Sequence, residues 1–359
     1  MVKQLHGCLF LTAALVLCLP MTLPGLARAE GRLSRTISAP AVHENLAIYF
    51  VRGASKASTV PLTLSEGMAR GVFVVHETGN VNSLEVENNG SEPVFIQSGD
   101  IVKGGKQDRV LTVSLIVPPK SGRMPIDAFC VEQGRWSARG QEQVARFETS
   151  AAAMPSRMAK LAMKAPVPTR VASGNPGDRR VVEGGTSSRQ SEVWKEVSRK
   201  QAQLTRSVGV PVAAAQSQTS LQLALENEKL TAARAVYAAV LKQAGESSDD
   251  IIGYVFAING KINSGDVYES NGLFMKMWPK MLDASITEAL GEKSGADHGV
   301  PPAIAEVEAF LNGAETGKAS RQTIAGVVEL ETRNSGEAWM FDTSRASGGL
   351  VHRNYLRSN

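Results

Sequence analysis

Cysteine is almost missing from this chain: of Cys8, Cys18 and Cys130, the first two lie in an apolar leader, so an exported product keeps Cys130 alone. It can form no internal disulfide, and its fold must rest on a packed core. Histidine is scarce too, and His43, His76, His298 and His352 stand far apart without HxxxH or HxH spacing. No metal ligand set is therefore legible, and only a meeting in space of His76-Glu77 with Val351-His352 would create one. A G-x-x-x-x-G-K-[ST] loop and a G-x-S-x-G elbow are both absent, which removes the Walker-type phosphate loop and the α/β-hydrolase nucleophile. No cofactor is implied. Past the leader, no apolar run is long enough to span a bilayer, which takes about 20 residues.

The leader itself has Lys3, an apolar stretch from Cys8 to Leu19 and the small-x-small triplet Ala27-Arg28-Ala29. Residues 1–29 are thus expected to be a signal peptide cut before Glu30, which makes the protein secreted or periplasmic. Loss of Lys3 and Arg28 takes the formal charge from +4 to +2, a balance that gives no case for nucleic acid. Charge is unevenly spread, however. Residues 157–206 carry eleven Lys/Arg against four acids. Scattered among Pro, Gly and Ser, such charges make either a solvated linker and helix face or a contact with an anionic envelope surface.

What the chain does have is a dense stretch from Pro93 to Trp136. Apolar runs at Val94–Ile96, Val110–Val117 and Ile126–Val131 alternate with Ser98-Gly99-Asp100, with Lys103-Gly104-Gly105-Lys106-Gln107-Asp108-Arg109 and with a Pro/Gly loop. This is the punctuation of antiparallel strands and tight turns. Paired Gly104 and Gly105 can take positive φ and hold Lys106 to Arg109 at a strand mouth. Strand alternation, if it started there, would set Lys106 and Asp108 on one face and Gln107 and Arg109 on the other.

The rest of the chain extends the pattern. Leu46–Val51, Val72–Val75 and Leu84–Val86 read as strands, and Thr63 with Glu66 makes a capping box for a short helix. Ala138 to Lys164 reads as partly helical and residues 165–188 as a mobile Pro/Gly/Ser/Arg-rich insertion. Ser191–Ser207, with Trp194, Val197 and Leu204, and Leu221–Ala244, with Leu221, Leu225, Val236, Val240 and Leu241, read as a helical hairpin. Asn259-Gly260 joins Ile251–Ile258 to Lys261–Tyr268 as a hairpin. Asn271 caps a helix that must kink or restart at Pro279, and Pro302 opens another over Ala303–Leu311 that ends at Gly313. Thr323–Glu331, Trp339–Phe341 and Leu350–Tyr355 close the chain as strands. The expected fold is a single α+β domain over residues 30–359. Its antiparallel, sandwich-like sheet system is built jointly from residues 42–136 and 250–355, with the helical hairpin inserted.

Two clusters carry candidate chemistry. Lys106, Gln107, Asp108 and Arg109 follow the glycine pair as an anion or sugar nest, or as an ion-paired turn that pins the sheet. Glu132, Arg135 and Trp136 form a recognition set with a carboxylate, an anion fork and a flat ring, while Cys130 reads as buried and inert. Asp100, Asp108 and Glu132 are the carboxylates suited to acid/base work. The leading expectation is a domain that binds a small molecule or envelope component, anionic, nucleotide-like or glycosyl in kind. A hydrolase using a carboxylate pair on an anionic or glycosyl substrate is the alternative, and a purely structural envelope protein the third. Ile96-Gln97-Ser98-Gly99-Asp100-Ile101 and Ile262-Asn263-Ser264-Gly265-Asp266-Val267 also share the pattern Ile-x-Ser-Gly-Asp-apolar, read as turn chemistry or a trace of duplication.

At GDIVKGGKQDR (Gly99–Arg109), CVEQGRW (Cys130–Trp136) and GYVFAINGKINSGDVYESNGLFMKMWPKML (Gly253–Leu282) the chain resembles the ARPP-1 family. The resemblance runs from about Val42 to Tyr355. It implies association with ADP-ribosylglycohydrolase and rhodanese-phosphatase proteins, and nucleotide or ADP-ribose-linked ligands in intracellular members. This chain departs from the family in its leader and in its long Pro/Gly/Ser/Arg-rich insertion.

Overall fold

The computed structural model describes residues 34–359 apart from 57–58, 140–145, 165–185, 294, 296–297 and 325. The expected leader and nearly all of the 165–188 insertion thus lie outside the described residues. The first part of the chain gives β1 (Arg35–Ile37), β2 (Ala41–His43), β3 (Leu46–Gly53), β4 (Leu62–Thr63), α1 (Leu64–Ala69), β5 (Phe73–Asn80), β6 (Ser83–Asn88) and β7 (Val94–Ile96). Next come β8 (Asp100–Gly104), β9 (Arg109–Leu111), β10 (Leu115–Val117), β11 (Arg123–Cys130), β12 (Phe147–Ala153), α2 (Arg157–Lys164), α3 (Thr186–Val208), α4 (Leu221–Leu225) and α5 (Glu228–Gly245). The last part gives β13 (Ile251–Ile258), β14 (Lys261–Tyr268), α6 (Asn271–Glu292), α7 (Ile304–Glu315), β15 (Lys318–Ile324), β16 (Val328–Asn334), β17 (Ala338–Arg345) and β18 (Leu350–Arg357).

The fold is α+β, with mainly antiparallel sheets. Its largest sheet runs β1-β3-β13-β14-β18-β17-β16-β15, with β2 added on β3, so N-terminal strands pair directly with C-terminal ones as the sequence implies. The β13–β14 hairpin turns at Asn259-Gly260, both with positive φ, as an Asn-Gly turn demands. Residues Leu46, Ile48 and Phe50 of β3 and Tyr254, Phe256 and Ile258 of β13 point to one face, where they meet Phe274, Trp278 and Met281 of α6. On the other face Tyr49 donates to the carbonyl of Pro302, just ahead of α7, and Tyr355 packs on Phe310 of α7. Both faces are covered, so β3 and β13 read as continuous apolar runs rather than alternating ones.

Close strand approach at β13–β14 depends on glycine. A Cβ on Gly253 would sit 2.3 Å from the carbonyl oxygen of Asp266, and one on Gly265 2.8 Å from that of Tyr254. Gly253→Ala is expected to destabilise the protein by about 1–3 kcal/mol, the range of core overpacking. A urea melt reads this directly, and an unchanged midpoint would contradict the close approach.

The remaining strands form a sheet in the order β12-β8-β9-β11-β6-β5 and a small one, β10-β7-β4, in which β4 and β7 are parallel. The strands of residues 35–130 are thus divided among three sheets. The run Val110–Val117 is divided between β9 and β10 in different sheets, and Ala138–Lys164 supplies strand β12 before its only described helix, α2. Thr63 caps α1 with the expected capping box. The expected second helix of the hairpin breaks at Glu226-Asn227, because Asn227 accepts from the backbone of Lys229 and Leu230 and starts α5 afresh. Its inner stripe is Leu230, Arg234, Tyr237 and Leu241, while Val236 and Val240 face solvent. In α3, Val193 joins Val197 and Leu204 in the core, and Trp194 is only half-buried.

Helix α6 is capped by Ser270 rather than Asn271 and passes through Pro279 without restarting. Thirteen of its side chains are buried, so packing holds it together where local propensity would divide it. Helix α7 runs two residues past Gly313, and Thr323–Glu331 holds the end of β15 and the start of β16, which pair with each other, rather than one strand.

Candidate functional site

Strand β8 ends at Gly104 and β9 begins at Arg109, so residues 105–108 form the turn between them and strand alternation does not apply. Gly104 has φ +103° and Gly105 φ +57°, the left-handed region the glycine pair implied. This turn brings Asp108 under the end of β11, where Glu132 follows. The Asp108 backbone N–H donates to Glu132 Oε2 (3.2 Å), and the Gly104 N–H donates to Asp108 Oδ1 (3.0 Å).

Two arginines clamp the carboxylates together. Arg139 Nη1 lies 2.9 Å from Asp108 Oδ2 and 3.3 Å from Glu132 Oε1, and Arg135 Nη2 lies 2.7 Å from Glu132 Oε2 and 3.5 Å from Asp108 Oδ1. Ser220, the cap of α4, adds a hydroxyl 2.9 Å from Asp108 Oδ2. Both carboxylates are fully buried. Burial alone would raise the pKa of Glu132, yet hydrogen bonds from Arg135 and Ser217 outweigh it and hold the group below the ordinary carboxylate range. Arg135 also donates to the carbonyls of Gly104 and Gly105 (both 3.3 Å), tying the glycine turn to the clamp. Arg139 lies seven residues after Glu132 but outside the cluster expected from the sequence, and Ser220 reaches the site only through chain topology.

The remaining expected residues surround this clamp. Gln107 is buried and its amide donates to the Glu132 carbonyl (3.0 Å). Arg109 is completely buried and donates from Nη1 to the Gln107 carbonyl (2.9 Å), but its Nε and Nη2 have no acceptor among the described residues. The nearest carboxylate oxygen, of Glu77, is 3.9 Å from Nη2. Trp136 is 44% exposed, and its ring has the Lys106 Nζ at 4.9 Å and the Arg109 guanidinium carbon at 5.7 Å from its centroid. Both are within cation–π range. Cys130 is buried, its Sγ donates to the Glu132 carbonyl (2.8 Å), and burial raises its pKa. All seven candidate residues thus fall at one corner, and Asp100 lies elsewhere, paired with Lys280 at 2.9 Å.

A second polar constellation sits deeper, at Asp266. Its Oδ1 accepts from Asn354 Nδ2 (2.9 Å), His352 Nε2 (3.0 Å) and Gln97 Nε2 (3.4 Å), and its Oδ2 from the Tyr254 hydroxyl (3.2 Å). Tyr268 donates to Gln97 Oε1 (2.8 Å). Asn354 Oδ1 in turn accepts from Lys164 Nζ (2.9 Å), and Lys164 stands 4.0 Å from the Phe341 ring centroid. Gln97 and Asp266 belong to the two Ile-x-Ser-Gly-Asp echoes, which therefore touch. They are not copies in structure: Ser98-Gly99 is a turn with Gly99 at φ +100°, whereas Ser264-Gly265 lies inside β14. His76 instead pairs with Glu87 (2.8 Å), so it does not meet His352. Among the described residues no group of three or more His, Cys, Asp or Glu is placed to hold a metal ion. No described helix is long and apolar enough to cross a membrane.

The family model for the ARPP-1 domain, the "ARG and Rhodanese-Phosphatase-superfamily-associated Protein domain", matches residues 34–356. The chain belongs to the ARPP-1 family. The match takes in every strand and helix that builds either constellation. No curated protein and no solved structure matches the chain. Of the three ARPP-1-like stretches, Gly99–Arg109 and Cys130–Trp136 meet at the arginine clamp, and Gly253–Leu282 supplies Tyr254, Asp266 and Tyr268.

Proposed function

We propose that this ARPP-1 protein is a secreted or periplasmic binding domain whose ligand is a small anion with a flat ring or sugar face, nucleotide-like in chemistry. The observation that carries this reading is Arg109, a fully buried guanidinium with two nitrogens that no described residue satisfies. A buried donor without an acceptor costs about 1–3 kcal/mol, which a phosphate or carboxylate oxygen offsets. Charge supports the same reading: Lys106, Arg109, Arg135 and Arg139 outnumber Asp108, Glu132 and Glu77 at this corner. Trp136 adds an exposed ring for stacking. A hydrolase using Asp108 and Glu132 gains no such support. The two carboxylates do stand side by side, but both are fully buried and already engaged by Arg135 and Arg139.

The test is calorimetry on the mature chain with inorganic phosphate, adenosine, AMP and ADP-ribose. AMP or ADP-ribose is expected to bind more tightly than either phosphate or adenosine alone. Trp136→Ala should weaken that binding about tenfold, within the range of base stacking on an aromatic ring, without moving the melting temperature. Lys106→Ala should weaken the anionic ligands and leave adenosine unchanged. Absence of binding at millimolar concentration, or binding that both variants retain in full, overturns the reading.

A further inference from the structure

Away from the arginine clamp, a cleft of about 340 Å³ opens between α2 and the β16–β17 part of the large sheet, with Lys164 and Phe341 in its wall. Lys164 is the last described residue of α2 and is half-buried. Its Nζ donates to a neutral amide oxygen, Asn354 Oδ1, and rests over the Phe341 ring. No carboxylate lies within 4 Å of it among the described residues. The acids around the cleft are engaged elsewhere: Asp342 of β17 is held by Arg353 at 2.6 Å, and Glu331 of β16 by Arg321 at 2.6 Å and by Arg333. Asp127 of β11 stands exposed at the rim, and Arg189 of α3 donates to the Met163 carbonyl.

We infer that Lys164 is a nucleophilic amine that condenses with small aldehydes or ketones entering this cleft. The Nζ lone pair forms a bond to the carbonyl carbon while the C=O π pair moves to oxygen. One nitrogen proton is lost and the oxygen gains one, giving a carbinolamine. Loss of the second nitrogen proton and departure of the hydroxyl as water leave a C=N bond, so amine and carbonyl become imine and water with no oxidant or reductant. What the reaction requires is an unprotonated lysine at neutral pH.

The surroundings provide that. Burial pushes the Lys164 ammonium down to about 7; the carboxylate of Asp266, behind Asn354, opposes the shift, and the ammonium of Lys160 one turn earlier adds to it. The Phe341 ring favours the charged form, but by no more than about 1 kcal/mol at a partly open site. Relative to an ordinary lysine, the neutral fraction at pH 7 is raised.

The experiment is reductive trapping of the full mature chain with glyoxylate and cyanoborohydride, followed by peptide mapping. At pH 7, Lys164 is expected to be labelled at least about tenfold faster than Lys195, whose side chain is 72% exposed. Its rate should level off above pH 7 to 8, whereas that of Lys195 should keep rising through pH 9. Lys164→Arg should remove the fast phase and leave the other lysines unchanged; should that variant not fold, the wild-type map decides alone. A Lys164 rate equal to or below that of Lys195, or a parallel pH dependence of the two, overturns the inference.

Discussion

Asp266→Ala is expected to destabilise the protein by about 3–5 kcal/mol at pH 7, the cost of removing one partner from a buried charged network. Asp266 is 2% exposed, and its carboxylate accepts from His352, Asn354, Gln97 and Tyr254. Truncation leaves these buried donors without the acceptor they share. The Nδ1 of His352 already has no partner, so the imidazole would lose its remaining anchor. Asp266→Asn keeps the shape but turns one acceptor into a donor, and should cost about 1–3 kcal/mol.

The pH dependence gives a second readout. Burial alone would raise the pKa of Asp266, but the His352 hydrogen bond and the charges of His352, Lys160 and Lys164 hold it below the ordinary value. A folded pKa below the unfolded one, about 3.9, means that the stability it contributes is complete above that value and is lost as pH falls through the folded pKa. The gap between wild type and Asp266→Ala should therefore narrow in urea melts at pH 3 compared with pH 7. A gap that stays constant, or a loss under about 1 kcal/mol at pH 7, would remove Asp266 from the centre of this network.

Gly105→Val is expected to cost about 3–5 kcal/mol, more than backbone strain alone. A β-branched residue at φ +57° is strained by about 1–3 kcal/mol. In addition, its Cβ would lie 2.4 Å from Phe147 Cζ, and Phe147 is a buried ring packed in the second core. The ring must move, or the turn must, and the turn carries the two carbonyls that Arg135 holds. Gly104→Val should cost about 2–3 kcal/mol, since its φ of +103° is equally unfavourable but the approach to the Arg146 carbonyl is 3.1 Å. Chemical denaturation of Gly105→Ala, Phe147→Ala and the double variant separates the two causes. The double variant should be more stable than the sum of the singles by about 1–2 kcal/mol if the ring collision is real. Strict additivity would leave backbone strain as the whole effect.

The features legible in the sequence are those whose cause lies within a few residues. Asn259-Gly260 is a hairpin because both positions need positive φ, and Thr63 with Glu66 is a helix start because a side chain can reach the next turn's N–H groups. Gly104 and Gly105 take left-handed φ for the same local reason, and the seven residues around them converge because β8, β9 and the end of β11 are neighbours. Tertiary structure alone decided which of those groups are joined and which are left without partners. Arg135 and Arg139 pair with Asp108 and Ser220 donates to it, while Arg109 keeps two unsatisfied nitrogens. It also decided that Val236 and Val240 face water, because the side of α5 that α6 covers is fixed by packing, not by hydropathy. The Asp266 network draws on residues 97, 254, 266, 352 and 354, brought together by the pairing of β13, β14 and β18. Backbone sterics act between chain neighbours, whereas the partner of a buried charge is chosen by strand order, and strand order is a property of the whole chain.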